Sequence, residues 1–341
     1  MLTQTLERKQ NISTQIEIQQ IQGLPVDTAL LFSDHKGRYK KRLEKQQRKF
    51  LAKLGFLTPF LEQGEKILFI TPGCSPFSTI EQLLTGVWIM ILKRCLFVFT
   101  DKRVFHIPTK SNFAYRNSIA QILYADCSSL QIKRSSLVAN YKNGSSEKFI
   151  GIPGGARKKI TELLKNAAFD GRQSPMLERA HLCPRCTKPL VKGYYTCPHC
   201  SLEFKNKIKA RRISVLLPGG GYFYTRNIAL GILDAISETL LSVVLLVALV
   251  NTIRGDAEAA GALAFVAAIL ALEKFITIMH SSSFVDEFIP LDPNVSPRPQ
   301  VILARSTSSG PAKGTIPSNS GPANTPLPKP EDILRNDWRS H

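Results

Sequence analysis

Two long apolar segments near the C-terminal end constrain the fold of this chain more than any other feature. One ends at residue 250, the other covers residues 259–279, and a short polar break lies between them. As helices, with a rise of about 1.5 Å per residue, residues 228–250 would be roughly 34 Å long and the second segment slightly shorter. Both lengths match the roughly 30 Å hydrocarbon core of a bilayer. The pattern predicts a hairpin of two membrane-spanning helices over residues 213–280.

Four charged residues interrupt these segments, so a soluble or interfacial helical hairpin is the alternative interpretation. Asp234 and Glu238 lie in the first segment, and Glu273 and Lys274 lie in the second. In an antiparallel hairpin Asp234 and Lys274 would have similar depth, where a pair costs much less than a lone charge at mid-bilayer. We therefore expect the carboxylates to pair with Lys274 or Arg226. A competing use of Asp234 and Glu238 is an ion or proton pathway, which would need an oligomer.

A cluster of cations before the hairpin predicts its orientation. The cluster consists of Lys205, Lys207, Lys209, Arg211 and Arg212. The polar break carries only Arg254, next to acidic residues, and an excess of Lys and Arg marks the cytoplasmic side of a membrane protein. We therefore expect an inner-membrane, multi-pass protein with both termini in the cytoplasm. The cations expected to contact anionic lipid headgroups are Lys207, Lys209, Arg211 and Arg212.

Charge and cysteine usage restrict the class of protein further. The net charge is +19 and the pI is about 9.8, which implies a negatively charged surface or partner such as anionic lipid or nucleic acid. The first ten residues lack an apolar core, so no secretory signal peptide is expected. In that context the seven cysteines do not indicate a disulfide framework.

Four of the cysteines have the spacing of metal ligands. Cys183 and Cys186 form one Cys-x-x-Cys knuckle, and Cys197 and Cys200 form a second. Two such turns facing each other provide the tetrahedral sulfur cage that zinc prefers. The pattern predicts structural Zn²⁺ in a domain of residues 180–204, with no open position for a catalytic water. A redox dithiol is the weaker alternative, because no βαβ pattern surrounds either motif.

The cysteine motif resembles the short zinc ribbons of many bacterial membrane proteins. The glycine that usually follows each knuckle is replaced here by Thr187 and Ser201. We expect His181 and His199 not to serve as ligands.

Short strands followed by one amphipathic helix characterise residues 61–170. Asn143-Gly144 predicts a two-residue hairpin turn, and the apolar face of Ala156, Ile160 and Leu164 predicts the closing helix. Such an order is typical of a small β-barrel or sandwich with a C-terminal capping helix. The hairpin sequence LFVFTDKRVFHI at residues 96–107 resembles that of bacterial PH-like domains of the YokE/GRAM type.

That resemblance implies a PH-like fold over about a hundred residues, and lipid headgroups as one class of ligand. Eukaryotic relatives of such domains often bind phosphoinositides, a property that is not transferred here residue by residue. The candidate headgroup contacts on this domain are Lys102, Arg103, Lys133, Arg134 and Lys142. One departure is the apolar stretch of residues 79–92, which is interpreted as a core strand or, alternatively, as an insertion that dips into lipid.

The two ends of the chain have distinct compositions. Residues 1–60 are interpreted as a peripheral basic helical region, either in contact with a membrane or nucleic acid or solvated and packed on the next domain. Residues 289–341 are rich in Pro and Ser and are predicted to be a disordered tail, with residues 331–341 as a conceivable recognition segment.

Together these patterns predict an α+β multidomain protein with a PH-like domain, a four-cysteine zinc ribbon, a two-helix transmembrane hairpin and a disordered tail. No catalytic constellation is found, so the function expected is a non-enzymatic, membrane-anchored scaffold or sensor. Its expected partners are the anionic bilayer, proteins that bind the PH-like domain, and further copies of itself. The alternatives are a nucleic-acid-binding ribbon protein and an oligomeric transport component that uses Asp234 and Glu238.

Overall fold

The structure, a computed structural model, describes residues 18–295 apart from positions 168, 170 and 172. It contains two β-sheets, two long apolar helices and a cluster of four cysteines. The predicted mixture of an α+β domain, a cysteine motif and an apolar hairpin is therefore confirmed at this level.

The larger sheet has seven strands in the order β1-β2-β3-β4-β5-β6-β10. Its strands are β1 (Ile18–Ile21), β2 (Leu24–Asp27), β3 (Ile67–Cys74), β4 (Arg94–Thr100), β5 (Arg103–Pro108), β6 (Ile119–Leu123) and β10 (Ala180–Leu182). Neighbouring strands are antiparallel except β2 and β3, which are parallel. Strands β3 to β6 form a continuous meander at the centre, which the predicted turn after Thr100 anticipates.

Strands β4 and β5 are buried on both faces because alternate side chains enter two different cores. In β4, Leu96 and Val98 contribute to one core, and Phe97 and Phe99 contribute to the other. Burial on both faces explains why this part of the sequence is a nearly continuous apolar run without alternation.

A second, three-stranded antiparallel sheet covers one face of the large sheet. It consists of β7 (Cys127–Lys133), β8 (Ser136–Tyr141) and β9 (Ser146–Phe149). The β8–β9 loop has three residues, 142–144, because Tyr141 N donates to Ser145 O and Gly144 N donates to Tyr141 O. Gly144 has φ +84° but Asn143 does not have a positive φ, so the predicted two-residue turn is wrong, although the glycine adopts the left-handed conformation. A helix over Gly154–Lys165 follows Pro153 and packs Ile160 and Leu164 into the core between the two sheets.

The described part of the N-terminal region is integrated into the fold, which differs from the peripheral helical region expected. Strands β1 and β2 extend the large sheet, and helices α1 (Thr28–Leu31) and α2 (Lys41–Leu51) cover its other face. Within α2 the buried amide of Gln47 accepts from the backbone N of Ile70 (3.1 Å) and donates to its carbonyl (2.8 Å). The predicted apolar stripe of α2 is thus a core contact, continued by Leu54, Leu57 and Phe60.

The apolar stretch between β3 and β4 is helical, so its interpretation as a core strand is wrong. It forms α3 (Thr79–Thr85), a 3₁₀ turn (Gly86–Trp88) and α4 (Ile89–Leu92). Ser78 and Glu81 make a reciprocal capping box that starts α3, a local signal that favours a helix. Strands β3 and β4 also pair directly with each other, which leaves no free edge between them for another strand. Helix α5 is the helix over Gly154–Lys165 described above.

The C-terminal half of the described chain is helical. Its helices are α6 (Lys207–Leu216), α7 (Gly220–Tyr224), α8 (Ile228–Ile253) and α9 (Ala257–Val285). Helices α8 and α9 are antiparallel neighbours joined by Arg254 to Asp256, and the Asp256 carboxylate caps α9. Both are long and apolar enough to cross a bilayer, and most of their apolar side chains are not covered by other described parts of the chain.

The first residues after α9 pack against the rest of the protein. Phe288 and Ile289 are buried, and Pro290 forms a β-bridge with Phe204. The start of the predicted disordered tail, from residue 289, is therefore wrong for Ile289 and Pro290. Residues 296–341, including the suggested recognition segment, lie outside the described residues.

Candidate metal centre and membrane hairpin

The two Cys-x-x-Cys motifs fold into matching turns. In the first, Thr187 N donates to Cys183 O (2.9 Å) and Cys183 N donates to Lys188 O (2.8 Å). In the second, Ser201 N donates to Cys197 O (2.9 Å) and Cys197 N donates to Leu202 O (2.8 Å). The repeated hydrogen bonds place two thiols on the inside of each turn, so that the turns face each other.

The four sulfur atoms have the geometry of a metal cage. They lie within 4.8 Å of one another, and the Sγ atoms of Cys183 and Cys200 are 3.5 Å apart. The Cys186 and Cys197 sulfurs are 3.6 Å apart, and none of the four cysteines is in a disulfide. A tetrahedral site with metal–sulfur bonds of about 2.3 Å requires sulfur–sulfur distances of about 3.8 Å. The cluster of Cys183, Cys186, Cys197 and Cys200 could therefore hold a metal ion.

Burial in this small site favours the neutral thiols as long as no cation is bound. It raises the pKa of Cys183, and it raises the pKa of Cys186 to about 11. Burial also acts on Cys200, but hydrogen bonds from Leu202 N and the neighbouring thiols lower its pKa overall. A divalent cation displaces these protons, so metal affinity at such a site decreases as the pH falls.

The residue after each knuckle adopts the conformation for which glycine is normally used. Thr187 has φ +62° and Ser201 has φ +54°, both in the left-handed region. A side chain in this region costs on the order of 1 kcal/mol relative to glycine. The departure from the usual ribbon sequence is thus accommodated in the backbone without loss of the turn.

The cysteine region is joined to the large sheet and to the end of α9. Strand β10, which enters the first knuckle, pairs with β6 as the seventh strand. A small core of Leu190, Leu202 and Phe204 receives Phe288 from the segment after α9. The sequence predicts the knuckles but not this integration, because a three-residue strand carries no detectable pattern.

The hairpin of α8 and α9 contains an ion pair between its two long helices. Lys274 Nζ lies 2.7 Å from Glu238 Oε2 and also donates to the carbonyl of Ser214 (2.8 Å). The same Glu238 oxygen accepts from Gly219 N at 3.2 Å. Asp234, for which Lys274 is one expected partner, instead accepts from Thr277 Oγ1 at 3.0 and 3.1 Å. The difference arises because Thr277, about one turn from Lys274, is the residue opposite Asp234.

Helices α6 and α7 form a sharp turn packed against this ion pair. Gly219 has φ +65°, and a Cβ atom on it would lie 2.1 Å from the carbonyl oxygen of Gly231 in α8. A Cβ atom on Gly221 would lie 2.1 Å from Ser214 Oγ. The run Gly219 to Gly221 therefore permits an abrupt turn and a close approach of the helices, and it brings the Gly219 amide to Glu238.

The predicted headgroup contacts have different environments. Of the cations on α6, Lys209, Arg211 and Arg212 are exposed, whereas Lys207 pairs with Asp286 at 2.6 Å. On the sheet domain Lys133, Arg134 and Lys142 are exposed, and Lys102 pairs with Glu62 at 2.9 Å.

Arg103 is not available to a headgroup. It is buried, and its guanidinium binds the Glu65 carboxylate through two hydrogen bonds of 2.9 and 2.6 Å. A charged pair at that position fixes the β4–β5 turn to the segment before β3.

In comparisons with known proteins, no family model, curated protein or solved structure matches this chain. The site is therefore interpreted from its own geometry.

One buried polar cluster is not predicted by the sequence. Arg179 lies between Glu147 and Glu287, with Nε 3.1 Å from Glu147 Oε1 and NH1 3.5 Å from Glu287 Oε2. His106 accepts from Arg179 NH1 (3.1 Å) and lies 2.8 Å from Ser75 Oγ through its other ring nitrogen. These residues are far apart in sequence and belong to no motif, so no local signal reveals the cluster. It attaches the end of α9 to the sheet domain.

Proposed function

We propose that this chain is a non-enzymatic, membrane-anchored module in which α8 and α9 cross the inner membrane and the sheet domain lies on its cytoplasmic face. The observation that carries this proposal is the pair of long apolar helices whose side chains remain exposed, with a sheet domain fixed to their base. The helices of a soluble core would be covered by protein, whereas these lack such a cover in the described residues.

The distribution of charge supports the proposed orientation. The exposed cations of α6 lie at the base of the hairpin, and the connection at the other end has Arg254 followed by Asp256 and Glu258. By the positive-inside rule the base and the sheet domain belong on the cytoplasmic side.

The cysteine cluster supports structural Zn²⁺ as the bound metal. Four sulfur ligands in tetrahedral arrangement suit zinc, and a site with all four positions filled by protein is closed to substrate. Zinc would hold together the two knuckles and, through β10 and Phe288, the junction between the sheet and the hairpin.

A PH-like identity of the sheet domain is supported by its topology. The antiparallel strands β3–β9 followed by helix α5 agree with the succession of short strands and one closing helix on which the resemblance is based, while β1, β2 and β10 extend the large sheet beyond it. The role proposed for such a domain here is to recruit proteins or to sense a ligand at the membrane surface.

Cysteine labelling in intact cells tests the topology. Arg254→Cys, in the connection between α8 and α9, should react with a membrane-impermeant maleimide from outside the cell. Ser128→Cys, on the exposed surface of β7, is the matched control and should react only after lysis.

Two further measurements test the membrane anchor and the metal. Alkaline carbonate should leave the full chain in the membrane. Elemental analysis should find zinc in the unmodified chain and no zinc in Cys183→Ser. Release by carbonate, or labelling of Arg254→Cys only after lysis, would contradict the proposal.

A further inference from the structure

The helical segment of residues 79–92, here called the excursion, presents a large apolar surface. The exposed fractions of its most prominent side chains are 82% for Leu83, 77% for Val87 and 66% for Trp88. Ile80, Met90 and Ile91 are also exposed. Contiguous exposed apolar side chains of this size mark an interaction surface.

The excursion has an inner side that packs on the protein and a mainly apolar outer side, on which Thr79 and Gln82 are the exposed polar residues. Glu81 is buried, caps α3 with Ser78, and lies 3.8 Å from the ammonium of Lys93. Ile80, Leu83 and Val87 lie on the opposite side. A surface built in this way has an ordered backbone and an apolar outer face, which is the pattern of a helix lying at a membrane interface.

The position of the excursion points to the bilayer as its occupant. Thr85 Oγ1 is 2.6 Å from His280 Nε2 on α9, and Lys93 donates to Ser283 Oγ on the same helix. A groove of about 350 Å³ lies between the start of the excursion and α9, where Phe275, Ile278 and Met279 alternate with polar residues that include Glu81, Arg211 and Asp286. The excursion is therefore packed directly on a helix that is proposed to pass through the membrane, at the end of that helix where the chain carries charged residues.

The charge next to the excursion has the sign that an anionic bilayer requires. A cavity of about 830 Å³ lies between the excursion and the sheets, with Met90 on one wall and Lys133, Arg134, Lys148 and Arg157 on the others. Basic residues beside an inserted apolar segment strengthen its binding to an anionic membrane.

We propose that the excursion inserts into the same leaflet as the base of the hairpin, as a second and separate membrane contact of this chain. Leu83, Val87 and Trp88 enter the boundary between headgroups and acyl chains, and the basic cavity faces anionic headgroups. The inference rests on the proposed function, because it requires α9 to be in the membrane. With two contacts instead of one, the sheet domain is held in a fixed orientation on the bilayer.

Trp88 serves as a reporter because the chain has only one other tryptophan, Trp338. The experiment uses the full-length chain with Trp338→Phe, reconstituted into phosphatidylcholine–phosphatidylglycerol vesicles. Quenchers are placed on the lipid near the headgroup, near the end of the acyl chain, or in the water as iodide. We expect the emission maximum of Trp88 to be shifted to the blue. The quencher near the headgroup should reduce the emission most, the quencher near the end of the acyl chain should reduce it less, and iodide should reduce it little.

Two variants sharpen the test. Leu83→Asp with Val87→Asp should shift Trp88 to the red and make it accessible to iodide, while zinc content and carbonate resistance stay unchanged. Val191→Asp, which also introduces an acid at an exposed apolar residue but on the cysteine region, should leave the Trp88 signals as they were.

Each contrary outcome has a defined meaning. Iodide quenching of Trp88 in a chain that resists carbonate overturns this inference and leaves the proposed function standing. Release of the chain by carbonate overturns the proposed function. Protection of Trp88 from both lipid and aqueous quenchers, lost when the protein is diluted in lipid, assigns the surface to a second copy and overturns the lipid assignment.

Discussion

The ammonium of Lys274 and the carboxylate of Glu238 depend on each other because both lie within the helical hairpin. Glu238 is buried, and its Oε2 atom accepts from Lys274 and from the Gly219 amide, whereas its Oε1 atom has no hydrogen-bond partner among the described residues. When one member of a buried pair is removed, the other remains as an uncompensated charge, which is more costly than the absence of both. The pair is therefore a test of whether Glu238 has a structural role.

Glu238→Gln should lower the free energy of unfolding in detergent by about 2–3 kcal/mol, because it leaves Lys274 without its partner. The double variant Glu238→Gln with Lys274→Met should recover much of the loss. A double-mutant cycle on urea or thermal unfolding measures the coupling. Additive effects of the two substitutions would show that the pair is not coupled.

Ser201 offers a substitution that should stabilise the cysteine region. Ser201→Gly removes a side chain from a residue at φ +54°, for an expected gain of about 1 kcal/mol. Competition with a zinc chelator should show slower or weaker metal loss than in the unmodified chain. Lys192→Gly, at an exposed position without positive φ, is the control and should give no gain. Faster metal loss from Ser201→Gly would argue against backbone strain at this knuckle.

The cluster at the end of α9 predicts a pH dependence of stability. Burial, reinforced by the charge of Arg179, lowers the pKa of His106 well below its ordinary value. The unfolded chain then binds a proton that the folded chain excludes, so stability decreases as the pH falls below about 6.5. Burial alone would raise the pKa of Glu287, but Arg179 and neighbouring cations hold it below its usual value. Its contribution is present above the ordinary carboxyl pKa and is lost at lower pH.

Thermal unfolding of the full chain, measured from pH 7.5 to lower pH, checks this sign. We expect the midpoint to fall progressively below about pH 6.5. His106→Gln should reduce the slope in the upper part of that range without removing the later loss caused by carboxylate protonation. A midpoint that rises on acidification would contradict the neutral, buried state of His106.

At the level of elements, the turn between α6 and α7 tolerates no side chain at its centre. Gly219→Ala must place a Cβ against the Gly231 carbonyl and keep a positive φ, so we expect a loss of about 2–3 kcal/mol. Gly261→Ala in α9 is the matched control, because no atom lies within 4 Å of its added Cβ. Unfolding in detergent should be earlier for Gly219→Ala and unchanged or later for Gly261→Ala. Equal effects would mean that close packing at this turn is not required.

The elements that the sequence predicts are those with a local signal. Helix α5, both cysteine knuckles and the two apolar helices each follow from residues close together in the chain. The Asn143-Gly144 pair correctly marks a tight connection, but the loop has three residues and not two. The excursion is misassigned from sequence because its apolar content resembles a buried strand, while the decisive capping box of Ser78 and Glu81 is a short signal. Strand β10 and the Arg179 cluster depend on partners distant in sequence, which one sequence does not reveal.

On the scale of the whole molecule, the loop between β5 and β6 fastens both ends of the hairpin to the sheet domain. Arg116 donates to Asn227 at the start of α8, and Ser118 donates to the Glu287 carbonyl after α9. Asn117 donates to Pro293 O at 2.7 Å. The cysteine region completes the junction through Phe288. Metal binding should therefore influence residues well beyond the knuckles.

Hydrogen exchange with and without a zinc chelator tests how far the effect of metal binding extends from the knuckles. Removal of the metal should reduce protection in the knuckles, in β10 and at residues 286–291, because these share one small core or one pair of strands. Strand β7, which among the described residues makes no hydrogen bond to Arg179 or to the cysteine core, provides the internal control and should keep its protection. Loss confined to the knuckles would show that the junction is stable without metal.

In the proposed membrane arrangement, the double attachment at the β5–β6 loop also determines how force can pass between the two sides of the bilayer. The start of α8 and the segment after α9 are both hydrogen-bonded to this loop. Neither helix can therefore move along its axis relative to the other while these contacts are intact. Any tilt of the sheet domain would therefore rotate α8 and α9 together as one rigid body.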